Sequence, residues 1–331
     1  MKRILGIGNA LVDIMTMIDN ETVLEAFSLP KGSMQLVDSE KSAKIKSGTR
    51  NFKRILASGG SAANTIHGLA MLGVSSGFIG SIGKDENGDF FENDFRKTGV
   101  QTLLYRRDTM TGTAVALVTP DTERTFATHL GAAVELNAED LKMSDFKGFD
   151  ILYMEGYLIN NKDLVLKACR LAKELNMKIS LDLSSYNVVH DKLSDFKEIV
   201  ESYTDILFAN DEEAKAYTGM EADTALFRLS ELCETVVVKV GAEGSWIKRG
   251  EEIIKIGTIP VTCKDTTGAG DLYASGFLYG LAKNESLENC GLYGAILSGK
   301  VIEIIGARIC PEKWDEIKKM ISEISESSKT N

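Results

Sequence analysis

The sequence predicts an α/β protein: a mostly parallel sheet between two layers of helices, a three-layer α/β/α arrangement, with a small β layer added. Three observations carry this. Apolar strand-like runs alternate with helix-like runs over more than half the chain, the pattern of a parallel sheet covered on both faces. Between residues 103 and 130 the alternation gives way to short β-rich runs separated by turn residues, which read as consecutive antiparallel strands. The chain has 331 residues, 44% apolar and 26% charged, enough to bury a full core without staples. A single domain over 1–331 is expected, with a discontinuous β lid from about 12–18, 33–37 and 103–130.

The elements follow in order. Residues 3–8 form a short apolar strand that ends in Gly8 and Asn9. Residues 13–19 mix apolar and polar positions as an edge strand does, and 34–37 form another short strand after the turn at Pro30 and Gly32. Residues 61–72 carry apolar side chains at helical spacing and stop at Gly73. A buried strand at 76–82 and a helix at 89–97, closed by Gly99, come next. The β-rich runs are 103–107, 113–119 and 124–129. From 150 the alternation resumes, with strands at 151–154, 178–182, 206–209 and 235–240. Helices fall at 163–175, 194–201 and 212–217, and a long one begins at Gly268. The polar tail, 322–331, is expected to fray.

Charge and cysteine content exclude several functions. Lys+Arg 38 against Asp+Glu 48 leaves a net charge of −10 with no basic run, which argues against nucleic acid or an anionic lipid surface as partner. An anionic substrate must then be held by local dipoles. No apolar run approaches roughly 18 residues, so no membrane span is expected. The first apolar stretch is broken by Gly6, Gly8 and Asn9, unlike a secretory signal. Five cysteines, at 169, 233, 263, 290 and 310, form no CxxC, and three histidines offer no zinc spacing. They read as reduced thiols, and a cytoplasmic protein is expected.

Two phosphate motifs can be set aside. Gly6-Ile-Gly8-Asn-Ala-Leu11 resembles GxGxxG, but Leu11 replaces the last glycine and a strand-like run follows where a helix is needed. No GxxxxGK[ST] loop is present. The strongest segment is Asp265-Thr266-Thr267-Gly268-Ala269-Gly270-Asp271, opening onto an apolar helix. Small residues at a helix N-terminus let an anion approach backbone N–H groups that the helix dipole reinforces. By itself Asp271 reads either as a helix cap or as a base beside that anion site.

This run resembles the C-terminal signature of the ribokinase-like kinases of sugars and nucleosides, the PfkB carbohydrate kinase family, at every position. Gly59-Gly60-Ser61-Ala62-Ala63-Asn64-Thr65 is similar to the N-terminal signature, with Gly73 and Gly83 downstream, and Asn210-Asp-Glu-Glu213 to the Asn-x-x-Glu motif. All three stand in the family's order, and the resemblance covers roughly 4–315. It implies a ribokinase-like fold with a lid, and an ATP-dependent kinase that phosphorylates a primary hydroxyl. Asp271 would take the proton of the attacking hydroxyl, and the amides of Gly268, Ala269 and Gly270 would stabilise the transferred phosphoryl group. Asn210 and Glu213 would organise the Mg²⁺ of ATP, largely through water. Lys239, Gly241 and Gly244 resemble the strand-turn beside the nucleotide, and Thr267 belongs to the same subsite. Asp265 and Thr267 match positions that hold a monovalent cation, potassium, in many relatives. Lids of this family cap one subunit or pair two, so a monomer or a homodimer is expected.

The acceptor is a nucleoside or a sugar. The segment around Asp13 resembles the one whose carboxylate grips two vicinal hydroxyls, with Gly60 and Asn64 in the same pocket. The run Leu181-Asp182-Leu183-Ser184-Ser185-Tyr186 is similar to that of adenosine kinases, with Tyr186 stacking on the base, although Asp182 stands where Asn is common. Arg124 matches the lid arginine that bridges the phosphates, and otherwise reads as a surface charge. Leu11, Met34 and Leu36 read equally as walls for a base or as packing. The 5′-OH of adenosine or a related nucleoside is the expected acceptor, with fructose, ribose or a related sugar as the alternative. A non-catalytic ligand-binding relative is the remote third, because Asp271 and Gly268 are both present.

Overall fold

The computed structural model describes residues 1–121 and 123–330. Its strands are β1 (Ile4–Ile7), β2 (Leu11–Met17), β3 (Met34–Leu36), β4 (Arg54–Gly59), β5 (Ser76–Gly83), β6 (Gln101–Arg107) and β7 (Gly112–Val118). They continue with β8 (Arg124–His129), β9 (Ile151–Glu155), β10 (Lys178–Asp182), β11 (Ile206–Asn210), β12 (Thr235–Lys239), β13 (Ser245–Arg249) and β14 (Glu252–Ile256). Nine form one sheet in the order β14-β13-β12-β11-β10-β9-β1-β5-β6, and five form a second in the order β3-β8-β7-β2-β4. In the large sheet β6 through β12 run parallel, and β13 and β14 close one edge antiparallel. Helices lie on both faces, so runs such as Val236-Val237-Val238 are buried on either side.

The small sheet differs in kind. Its residues divide between a buried face and a face from which Asp13, Ala114 and Phe126 line a cavity, the period-two pattern of a half-covered sheet. Val12, Ile14, Val115, Leu117 and Ala127 are buried and belong to one core cluster with Phe91 and Phe95 of the helix Glu86–Lys97. Asp13, Met15, Ala114, Phe126, Met34 and Leu36 occupy the other face, as the register Asp13↔Ala114, Ala116↔Phe126 and Met34↔Phe126 requires.

The structure changes three expectations. Residues 103–107 are not part of the small layer: β6 pairs in parallel with β5 at the edge of the large sheet. A helix joins the two strands, and a crossover of that kind produces parallel pairing that strand composition alone does not reveal. The run at 13–19 is not an edge strand, since β2 lies between β7 and β4, and β4 had no strand signal of its own. The tail does not stand apart either. Residues 322–330 continue the helix Trp314–Thr330, whose Trp314, Ile317 and Ile321 pack on Leu297 and Val301; Asn331 lies outside the described residues.

The helix that begins after Gly268, Ala269–Ala282, is buried along most of its length and lies against Leu287–Ile302. Close approach depends on Gly276, where a Cβ would stand 2.3 Å from the carbonyl oxygen of Tyr293. On the opposite side, a Cβ at Gly68 would stand 2.4 Å from Ser275 Oγ, so the helix Ser61–Met71 is equally close. Replacing Gly276 with Val forces these helices apart. The expected cost is about 1–3 kcal/mol, read as a lower denaturant midpoint, because overpacking strains a filled core. An unchanged midpoint refutes the close-packing argument.

Candidate active site

The turns that follow β4, β9, β10, β11 and β12 open onto a single cavity of about 870 Å³. The loop Thr266–Asp271, the Asn210–Glu213 pair and the Lys239–Gly244 turn line it, together with Asp13, Gly60, Ser61 and Asn64. Segments up to 258 residues apart in sequence (Asp13 to Asp271) thus share one wall.

Asp271 sits in the first turn of Ala269–Ala282. Gly268 caps that helix at φ +76°, a left-handed conformation that suits glycine. Ser61 Oγ donates to Asp271 Oδ1 at 2.7 Å and Asn64 Nδ2 donates to Oδ2 at 2.9 Å. Burial pushes the Asp271 carboxyl up from its usual 3.8 to about 6; the Asn64 and Ser61 bonds and Lys239 oppose the rise, and Asp182 adds to it. Asn64 Oδ1 is buried without a hydrogen-bond partner, an acceptor left for a hydroxyl group. The N–H of Ala269 closes the turn onto Thr266 O at 3.1 Å, so fewer amides are open to an anion here than the sequence suggests.

Lys239 Nζ donates to Asp182 Oδ2 at 3.0 Å, and a Cβ built on Gly270 would stand 3.0 Å from the same Nζ. The ammonium therefore lies against the backbone that begins the helix. Burial works against its charge, but Asp182, Glu213 and Asp271 outweigh burial and hold its pKa above the usual lysine value. Asn210 and Glu213 form a capping box: Asn210 Oδ1 accepts from Glu213 N at 2.7 Å, and Glu213 Oε2 accepts from Asn210 N at 2.8 Å. Burial, then Asp182, raises the Glu213 carboxyl. Asn210 Nδ2 also donates to Glu213 Oε1 at 3.0 Å, so each oxygen of the pair is already hydrogen-bonded; among the described residues no three His, Cys, Asp or Glu side chains are grouped to hold a metal ion, and this pair could reach one only through its waters.

Two expected residues stand elsewhere. Tyr186 begins the helix Tyr186–Asp191, is 47% exposed and is not among the residues lining the cavity; Tyr157 and Phe126 are. Its offset follows from Ser184, whose positive φ of 66° turns the chain away after β10. Arg124 also lies off the cavity lining. Its Nη1 pairs with the fully buried carboxylate of Asp265 and donates to Thr267 Oγ1 at 2.5 Å. Asp265 further accepts from Thr267 N and Gly306 N, each at 2.6 Å. The charge that a potassium ion would neutralise is therefore already met by a guanidinium.

Sequence reasoning passed over Ser61 as a partner of Asp271, although it lies inside the N-terminal motif. It also passed over Glu155, the carboxylate that ends β9. Glu155 is buried and accepts from Asn9 N at 3.1 Å, Asn9 Nδ2 at 2.5 Å and Ala62 N at 2.8 Å. It joins the end of β1 to the start of Ser61–Met71. A carboxylate closing an apolar strand was the available signal.

The cavity carries more negative than positive groups. Asp13, on β2, is raised to about 7 by burial, against Arg308 and with the help of Asp271. A carboxyl whose folded pKa lies above its unfolded value adds stability while protonated, fully below about pH 4, and loses it as pH climbs through about 7. The unliganded protein is thus expected to lose stability between pH 5 and pH 8. Asp13→Asn should flatten that slope and raise the unfolding free energy at pH 8 by at least about 1 kcal/mol, one pKa unit's worth. Denaturant titrations at both pH values test this, and a variant less stable at pH 8 counts against it.

The comparisons with known proteins agree with this geometry. Residues 35–314 match the model of the pfkB family carbohydrate kinases. A solved adenosine kinase from Sinorhizobium meliloti is 37% identical with a TM-score of 0.82, covering 93% of this chain and 95% of that one. A probable sugar kinase from Rhizobium etli CFN 42 is 34% identical with a TM-score of 0.86, covering 96% and 98%. An uncharacterized sugar kinase from Archaeoglobus fulgidus is 30% identical over 244 residues, 73% of this chain and 96% of that one. The chain therefore has the ribokinase-like α/β fold and belongs to the PfkB family, as a sugar or nucleoside kinase.

Proposed function

We propose that the protein transfers the γ-phosphoryl group of ATP to the 5′-OH of a nucleoside, adenosine or a close relative. One observation carries this choice. The face of the small sheet that bears Asp13 also bears Phe126, which lines the cavity with it, and Met34 and Leu36, which extend the strip beyond the lining and are 61% and 68% exposed. A free sugar has no use for an apolar strip beside its hydroxyl-binding carboxylate, whereas a base has two apolar faces to cover. The base then rests on the small sheet, not on Tyr186. The reading as a kinase of fructose, ribose or a related sugar is favoured by the sugar kinases among the relatives.

In this mechanism the ATP phosphates lie against the start of Ala269–Ala282, beside Lys239; Asn210 and Glu213 would hold the waters of an ATP-borne Mg²⁺, which would neutralise charge developing on the transferred group. Asp13 grips the ribose hydroxyls, and Asn64 Oδ1 takes a further one. Ionised Asp271 accepts the proton as the 5′-oxygen bonds to the γ-phosphorus and the bond to the bridging oxygen breaks, releasing ADP. The small sheet acts as a lid that excludes water. Arg124 leaves Asp265 to reach the phosphates when the lid closes. The unpaired thiols of the five cysteines suit a cytoplasmic enzyme acting as a monomer or homodimer.

An ATP-consumption assay over adenosine, inosine, ribose and fructose with Mg²⁺ tests the acceptor. Adenosine is expected to have the highest kcat/KM, and a higher value for ribose or fructose overturns the nucleoside assignment. Met34→Ser with Leu36→Ser should raise the adenosine KM about tenfold, the worth of roughly 1.4 kcal/mol of lost apolar contact, and leave ribose unaffected. Asp271→Asn should lower kcat by at least about 10²-fold. Near-normal turnover in that variant would reduce Asp271 to a helix cap.

A further inference from the structure

Arg308 lies outside every motif and does not line the cavity, yet it is tied to the acceptor side of it. Its Nε donates to the carbonyl oxygen of Ser58 at 2.7 Å and its Nη2 to Ser58 Oγ at 2.6 Å. Ser58 is fully buried, sits on β4 opposite Val12 of β2, and its hydroxyl donates a hydrogen bond to Asp94 Oδ2. The guanidinium stacks over Phe95, 5.6 Å from the ring centre. Its third nitrogen, Nη1, is buried and bonds to nothing. A cation held this way costs desolvation that its hydrogen bonds only partly return.

What the clamp holds is the segment between the two carboxylates of the reaction. Ser58 is followed by Gly59, where a Cβ would stand 2.3 Å from Asp13 Oδ1, so the Asp13 carboxylate rests directly on that backbone. Gly60 follows at φ +101°, with no room for a Cβ beside Asn9 O, and then Ser61 and Asn64, which bind Asp271. A shift of Ser58 moves the floor under Asp13 and the donors to Asp271 together. We propose that Arg308 is a positioning residue for the acceptor: it fixes Ser58 and supplies the positive charge that balances Asp13. This rests on the reading of Asp13 as the acceptor-binding carboxylate.

The groups facing Asp13 make the charge argument specific. Arg308 comes from the segment after Leu287–Ile302 and Asp271 from Ala269–Ala282; Arg308 favours an ionised Asp13 and Asp271 opposes it. The neighbouring strands present Ala57, Gly59 and Ala114, which carry no charge. Asp94, from Glu86–Lys97, acts on Arg308, and His67 of Ser61–Met71 is kept neutral by burial and by Arg308. Arg308 is thus the positive group set against Asp13.

A double-mutant cycle of Arg308→Met and Asp13→Asn on the unliganded protein reads this without any substrate. Coupling between the two sites should shift the unfolding equilibrium at least fivefold at pH 8, where Asp13 is ionised, and vanish at pH 5. A coupling that is the same at both pH values, or absent at both, overturns the proposal. Arg308→Lys keeps the charge without the two-pronged clamp, so its cycle with Asp13→Asn should show less than twofold coupling at either pH; Arg308→Gln, which removes the charge, serves if the Met variant does not fold. With adenosine as probe, Arg308→Met should raise the acceptor KM at least tenfold while the ATP KM changes less than twofold. Equal rises in both mean a merely structural role. If Asp13→Asn leaves the adenosine KM unchanged while the pH-dependent coupling persists, the acceptor reading of Asp13 has failed and the pairing with Arg308 has not.

Discussion

Two hydrogen bonds organise this site: those from Ser61 and Asn64 to the Asp271 carboxylate. They join the start of one helix to the start of another that lies more than 200 residues later. Neither helix could supply the arrangement alone, because a carboxylate in a first turn is by itself only a cap. The bonds require the helices to run in close contact, which Gly68 against Ser275 permits. They also require Ser61 to stand at the first position of its helix, which Gly60 makes possible. The N-terminal and C-terminal motifs are therefore two halves of one hydrogen-bonded unit.

Around that unit the charges do not balance. Asp13, Glu155, Glu213 and Asp271 are all held above their usual carboxylate range, with burial as the leading cause at each. Lys239 is the cation placed among them at the phosphate end. A cavity built this way is poorly prepared for a bare triphosphate but well prepared for one that carries its own divalent cation. On the proposed reading, the Lys239 ammonium and the open amides at the start of Ala269–Ala282 would meet the phosphates, and the Asn210–Glu213 pair would meet the waters of the metal. The net charge of −10 is compatible with an anionic substrate because the contacts that matter are local.

Much of this was legible in the sequence. The alternation from β9 to β12 identified the parallel sheet, because strands buried on both faces are written as unbroken apolar runs. The residues of the three motifs converge because each lies at a strand end or a helix start, where small or capping residues leave a visible trace. The small sheet was read less well. β4 was missed since Arg54-Ile-Leu-Ala-Ser-Gly59 shows no alternation, and β6 was misassigned because its partner is fixed by the crossover helix. Tyr186 lies off the cavity lining, two residues past the left-handed turn at Ser184. Arg308 and Glu155 gave no motif at all. Their importance comes from what they touch, which single-sequence patterns do not encode.

The small sheet is linked to the rest of the site by two arginines, and the choice of side chain has a physical reason. Arg124 reaches from β8 to Asp265 and Thr267, at the head of the loop that leads into the helix Ala269–Ala282. Arg308 reaches from the other side, from the segment whose Gly306 also binds Asp265, to Ser58 on β4. Asp265 thus accepts from Arg124 on β8 and from Gly306 N in the segment that carries Arg308, so the loop, the small sheet and that segment meet at a single buried carboxylate. Arg124 makes both of its bonds through one nitrogen, Nη1, but at Arg308 a lysine could offer only the charge and not two donors in a fixed plane. Ser58 needs both, one for its carbonyl and one for its hydroxyl, and the strand it anchors is the one on which Asp13 rests.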